Sequence, residues 1–177
     1  MTSHSAPAPP PRPRPTLTIT AGPISSGKSD WVRSFRNAPT QPLCLIRDEV
    51  RLHVGGESYL DGPVDQATED TVTRLIHESA QTALTNGRDV YIDGCHNHPL
   101  TRNEWEAVAT SNGAGFRLML FDLPLNEILA LNGQRATPHS RQKVESSFRQ
   151  WSKQFSKIAH RPQHRFLSQE RSQRNAG

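Results

Sequence analysis

Eight consecutive residues, Gly22-Pro23-Ile24-Ser25-Ser26-Gly27-Lys28-Ser29, carry the densest chemical signal in the sequence. Two glycines, a lysine and a hydroxyl fall at the offsets of G-x-x-x-x-G-K-[ST] without mismatch. Such a loop wraps its backbone N–H groups around the β-phosphate of ATP or GTP, with the positive end of the following helix behind them. Lys28 then reaches the β- and γ-phosphates, and the Ser29 hydroxyl takes a Mg²⁺ position. All eight residues are therefore expected to bind ATP, with Lys28 catalytic and Ser29 a metal ligand.

Phosphoryl transfer needs little covalent work from a protein, so its catalysts are charges placed around the γ-phosphoryl group. Four further residues stand where such charges are useful. Asp48 follows an apolar run and is a candidate general base for an attacking hydroxyl, and Arg51, one helical turn on, could bind an acceptor phosphate. Asp93 ends another apolar run and could hold Mg²⁺ together with Ser29. Arg135 sits in Asn132-Gly133-Gln134-Arg135-Ala136-Thr137-Pro138, a mobile connector from which an arginine could close over the triphosphate.

These positions require a particular scaffold. Leu17–Ala21 reads as a β-branched strand ahead of the glycine loop, and Ser29–Arg36 as a helix start. Leu43-Cys44-Leu45-Ile46 is a continuous apolar run suited to a parallel strand covered on both faces, and it delivers Arg47–Arg51 to the strand end where ligands bind in such sheets. His53–Pro63 reads as loop. Val72, Leu75, Ile76, Ala80, Ala83 and Leu84 recur at helical spacing within Gln66–Asn86. A strand over Asp89–Ile92, a helix opened by a Thr101/Glu104 capping box, and a strand over Phe116–Phe121 follow. A short helix from Pro124 and an amphipathic helix with Val144, Phe148, Trp151 and Phe155 on one face complete the pattern. Alternating β and α elements predict an α/β three-layer sandwich: a mostly parallel sheet of four or five strands with helices on both faces.

The 177 residues accommodate one domain, expected over 16–157. Six prolines between Pro7 and Pro15 preclude regular structure there, so residues 1–15 read as a disordered tail, and 158–177 as a basic, disordered one. No apolar run has the length of a membrane span or the form of a signal peptide, which predicts a cytoplasmic protein without membrane contact. Two cysteines make no disulfide framework, and Cys95, His96 and His98 lack a fourth ligand for zinc. Trp31, Trp105 and Trp151 occupy apolar helical positions and read as core; Tyr59, in the loop before Pro63, reads as a loop anchor and is the one aromatic with an alternative stacking role. His96 and His98 read as solvent-exposed loop residues. Charge is segregated: ten Lys/Arg against fifteen Asp/Glu over Thr16–Ser140, but nine against two over Arg141–Gly177. A basic end of this kind is the footprint of a nucleic-acid contact.

The combination of Gly22–Ser29, Arg47-Asp48-x-x-Arg51, the Asp93 loop with Asn97 and Pro99, Phe121-Asp122-x-Pro124 and Asn132-x-x-Arg135 resembles the bacteriophage-type polynucleotide 5′-hydroxyl kinases. These belong to a group of small P-loop kinases that also holds zeta toxins and several small-molecule phosphotransferases. The resemblance implies Asp48 as general base for a DNA or RNA 5′-hydroxyl and Arg51 on the 3′-phosphate of the terminal nucleotide. It also implies Asp93 supporting metal and Ser29, acceptor contacts from the Asp93 and Asn97 loop, and Arg135 on the ATP phosphates. Here Gly94-Cys95-His96 separates Asp93 from Asn97, one residue more than the family usually has. Small kinases of this group form dimers or tetramers, and the periodicity leaves homo-oligomerisation open.

Three functions remain compatible with these residues. The first is a 5′-hydroxyl polynucleotide kinase using ATP and Mg²⁺, with a hydroxyl on a modified DNA base as a close variant. The second is a kinase of a small molecule such as a sugar, antibiotic or nucleotide-sugar. The third is a nucleotide-binding switch without acceptor chemistry.

Overall fold

The computed structural model describes residues 13–56, 65–158 and 164–166. Five strands form one sheet: β1 Thr16–Ala21, β2 Leu43–Ile46, β3 Val90–Asp93, β4 Gly115–Leu120 and β5 His164–Phe166. Their order is β2-β3-β1-β4-β5, and every neighbouring pair is parallel. The helices are α1 Lys28–Arg33, α2 Arg47–Gly55, α3 Gln66–Thr85, α4 Pro99–Ser111, α5 Leu125–Gly133 and α6 Arg141–Ile158. This is the α/β sandwich that the alternating pattern predicts.

Strand alternation divides the side chains between two faces. Val90, Ile92, Leu118 and Leu120 join one core with Val72, Ile76 and Ala80 of α3, Trp105 of α4 and Trp151 of α6. The alternate residues Tyr91, Met119 and Phe121 meet Trp31 of α1 and Phe35 just beyond it, with Phe35 and Tyr91 stacked at 4.4 Å. Helices thus cover both faces. At the centre, even Thr18 and Thr20 of β1 are inaccessible.

Register sets the positions of the strand ends. Ile46 pairs with Asp93, and Ala21 with Leu120. The residues that follow, Gly22, Arg47, Gly94 and Phe121, therefore emerge together along one edge, where open parallel sheets bind their ligands.

Three local features differ from the sequence reading. α2 runs on to Gly55, and Gly56 at φ +68° stops it, where a loop from His53 is expected. α4 begins at Pro99 rather than at Thr101: proline needs no N–H partner in a first turn, and the His98 side chain accepts the Leu100 N–H. His164–Phe166, inside the segment read as disordered, pairs with β4. Three residues are too few to show a two-residue period, and the strand is recruited by the free edge of β4. Residues 1–12 and 167–177, and Tyr59, lie outside the described residues. Among those described, no helix is long and apolar enough to cross a membrane.

Trp151 is fully buried and anchors α6 to the sheet. Trp151→Ala is expected to cost about 3–5 kcal/mol in urea unfolding. A loss below about 1 kcal/mol would show that α6 contributes little to the core.

Candidate active site

The loop from Gly22 to Ser29 has a backbone that few residues tolerate. Gly22 has φ +155°, and a Cβ there would lie 2.8 Å from Phe121 Cβ and 2.9 Å from its carbonyl oxygen. Ser25 and Gly27 are left-handed, at φ +59° and +84°. Lys28 is buried to 6% exposure and donates to the Gly22 carbonyl at 3.2 Å, to the Pro23 carbonyl and to Ser26 Oγ at 3.3 Å.

Beneath the loop, the Ser29 hydroxyl donates to Asp93 Oδ2 at 2.6 Å. Because Ile19 pairs with Ile92, Thr20 stands beside Asp93, with Thr20 Oγ1 at 3.4 Å from Asp93 Oδ1. Thr20 Oγ1 also accepts the Gly94 N–H at 3.1 Å. Burial raises the Asp93 carboxyl above the usual range, outweighing the Ser29 hydrogen bond and the Lys28 charge, and Asp48 pushes the same way.

Across the cleft, the first turns of α2 present Arg47, Asp48 and Arg51. Arg51 donates to Asp48 Oδ1 at 2.8 Å and forks onto Glu69 of α3 at 2.6 and 2.9 Å. Arg47 joins Glu69 at 2.8 Å and Thr73 at 2.8 Å. The hydrogen bond from Arg51, with that from Arg47, holds the Glu69 carboxyl below its ordinary value despite partial burial. Asp48 is 62% exposed. Two adjoining cavities meet here, one of about 310 Å³ toward Arg47, Arg51 and Asp93, the other of about 600 Å³ along the phosphate loop. Lys28, Ser29, Asp48 and Arg135 line both.

Other elements brace the loop from outside. Asn97 Oδ1 accepts the Gly22 N–H at 3.1 Å, and Ser147 Oγ of α6 accepts the Ile24 N–H at 3.0 Å. Asn132, 6% exposed, accepts from Ser25 Oγ at 2.9 Å and from His139 N–H at 3.0 Å, and donates to the His139 carbonyl at 2.9 Å. One amide therefore closes the base of the segment carrying Arg135 and ties it to the phosphate loop.

A model of the AAA domain matches residues 17–158. The chain belongs to the AAA-domain family. No curated protein matches it. Among solved structures, a chain of the Pnkp1/Rnl/Hen1 RNA repair complex superposes with a TM-score of 0.69 at 24% identity, over 81% of this chain and 46% of that one. The protein thus spans less than half the length of that neighbour. A gluconokinase from Sinorhizobium meliloti gives 0.60 at 11% identity over 88% and 83% of the two chains. The Mycobacterium tuberculosis APS kinase CysC, solved with AMPPNP and APS, gives 0.51 at 20% identity over 69% and 70%. The fold is that of the P-loop kinases, and it implies nucleotide binding.

Within this AAA domain, Lys28, Ser29, Asp48, Arg51, Asp93 and Arg135, all singled out from sequence, line the cavity of about 310 Å³. Asn97 spends its side-chain oxygen on the phosphate loop. Glu69 and Ser147 escaped the sequence reading, since each acts through a partner distant in the chain, and Asn132 entered it only as part of Asn132-x-x-Arg135, without its bonds to Ser25 and His139. His96 departs from expectation. Its ring turns inward, and Nδ1–H donates to the Thr20 carbonyl at 2.8 Å, so burial pushes its pKa down to about 4.

An unfolded chain protonates His96 near its ordinary value of 6.5, whereas the folded one resists until about 4. Stability is therefore lost as pH falls between those values and levels off below them. A His96→Gln variant, whose amide can still reach the Thr20 carbonyl, is expected to lose less stability than the parent between pH 7 and pH 4. Equal losses in denaturant titrations at the two pH values would contradict the inward, neutral ring.

Proposed function

We propose that this AAA-domain chain is an ATP-dependent kinase that phosphorylates the 5′-hydroxyl end of DNA or RNA. The observation carrying this reading is the shared cleft: Asp48 and Arg51 face the phosphate loop across one cavity, and Arg135 borders both halves. The likeness to a chain of an RNA repair complex supports a nucleic-acid acceptor.

In this reading the β- and γ-phosphates lie along Gly22–Ser29, with Lys28 released from its own loop to meet them. Asp48, exposed beside the cavity, accepts the proton of the 5′-hydroxyl. The hydroxyl oxygen forms a bond to the γ-phosphorus as the bond to the β–γ bridging oxygen breaks, and ADP leaves. Arg51, held by Glu69, meets the 3′-phosphate of the terminal nucleotide, and Arg135 approaches the transferring group from the lid segment. Ser29 and Asp93 suit Mg²⁺: a hydroxyl and a buried carboxylate are hard oxygen donors, and the raised Asp93 carboxyl lacks a full countercharge. When bound, the ion would neutralise charge on the β- and γ-phosphate oxygens.

A small hydroxyl compound is the second reading. A cavity of about 310 Å³ suits one, and the gluconokinase and APS kinase neighbours match this chain in length better than the repair-complex chain does.

With labelled ATP and Mg²⁺, phosphate is expected to move to 5′-hydroxyl oligonucleotides, and less so as salt rises. Asp48→Asn should lower kcat by about 10²–10⁴-fold while ATP binding persists. Wild-type turnover in Asp48→Asn would remove the base. If no 5′ end accepts phosphate but a sugar does, the second reading stands.

A further inference from the structure

A second depression leaves the acceptor cleft and runs along α6. It is an open groove of about 630 Å³ that shares Ile24, Cys95 and Lys143 with the cleft. One wall is the start of α4 with Asn97 and His98. The other is the first half of α6, where Lys143, Ser146, Ser147 and Gln150 follow one another at helical spacing. No Phe, Tyr or Trp lines it, and the His98 imidazole is the one aromatic ring among its lining residues. Apart from Ile24, Cys95 and His98, its lining is hydroxyl, amide and ammonium groups, which suit a sugar–phosphate backbone.

Lys143 supplies positive charge in the groove itself. Arg149 and Lys153 are exposed elsewhere on α6, and its one acid before Phe155, Glu145, is partly buried and bonded to Arg141 at 2.7 Å. Lys143 stands at the junction with the cleft, and Gln150 lies two turns farther along, about 10 Å at 1.5 Å per residue.

We propose that this groove holds the 3′ continuation of the acceptor: the second and following nucleotides of a single strand, bound through the backbone and without sequence preference. The inference rests on the 5′-hydroxyl kinase reading and adds a minimum acceptor length to it. A mononucleotide would fill the cleft alone, whereas longer strands would also occupy the α6 groove.

The test is transfer of phosphate to a length series with free 5′-hydroxyls: a nucleoside 3′-monophosphate, a dinucleotide, a tetranucleotide and a hexanucleotide. KM is expected to fall by roughly tenfold from the mononucleotide to the tetranucleotide and then to level off, with a steeper salt dependence for the longer acceptors. Gln150→Glu should raise KM for the tetranucleotide several-fold more than for the mononucleotide. Gln150→Lys should lower it, a gain that misfolding cannot produce. A KM independent of length, or two Gln150 variants without opposite effects, would overturn the groove while leaving the kinase in place. Absence of transfer to every member of the series, the mononucleotide included, would overturn both.

Discussion

The short hydrogen bond from Ser29 to Asp93, 2.6 Å long, joins the two halves of this site. Asp93 ends β3, and Ser29 lies in the first turn of α1, so the contact fixes the phosphate loop against the centre of the sheet. It also leaves a carboxylate with 6% exposure in a place where desolvation opposes its charge. A buried carboxylate is costly unless it is paired. The Ser29 and Thr20 hydroxyls reach its two oxygens and the Lys28 charge favours its ionised form, yet burial outweighs them. In the proposed reading, that incomplete compensation is what would favour a cation there.

Other constraints follow from keeping the loop open above that carboxylate. Gly22 must be glycine, because Phe121 occupies the space a Cβ would need. Ser25 holds a left-handed conformation, a strained state that persists only where the surroundings enforce it. Asn97, Asn132 and Ser147 supply that enforcement from three separate elements. Asn132 has the further consequence of linking the loop to the segment that carries Arg135. Its amide closes the segment from α5 to His139, so Arg135 projects from a base that is anchored while its own side chain stays exposed. In the proposed reading, that anchored base and exposed arginine would serve a lid closing over the triphosphate.

Much of this arrangement is legible in the chain alone, for definite reasons. The glycine loop is read from spacing because its chemistry is local. α3 is read from its apolar period, and Asp48 and Asp93 from their places after apolar runs. What escaped is non-local or locally unmarked. α2 has no side-chain cap, since Ile46 precedes it, and its few apolar residues give no clear stripe. His98 is an unusual cap, and Pro99 decided the start of α4 over a conventional capping box. His96 turns inward for a carbonyl 76 residues away, and Ser147 reaches a backbone N–H 123 residues away. Sequence spacing carries no trace of such contacts.

The proposed Mg²⁺ role of Asp93 rests on its buried and incompletely compensated carboxylate. Calorimetric titration of ATP with and without Mg²⁺, in the parent chain and in Asp93→Asn, tests it most directly, because the substitution keeps the shape and one acceptor oxygen while removing the charge. Tighter ATP binding with Mg²⁺ is expected in the parent chain, with loss of most of that gain in the variant. An undiminished Mg²⁺ effect in Asp93→Asn would contradict it and leave the buried carboxylate a purely structural group.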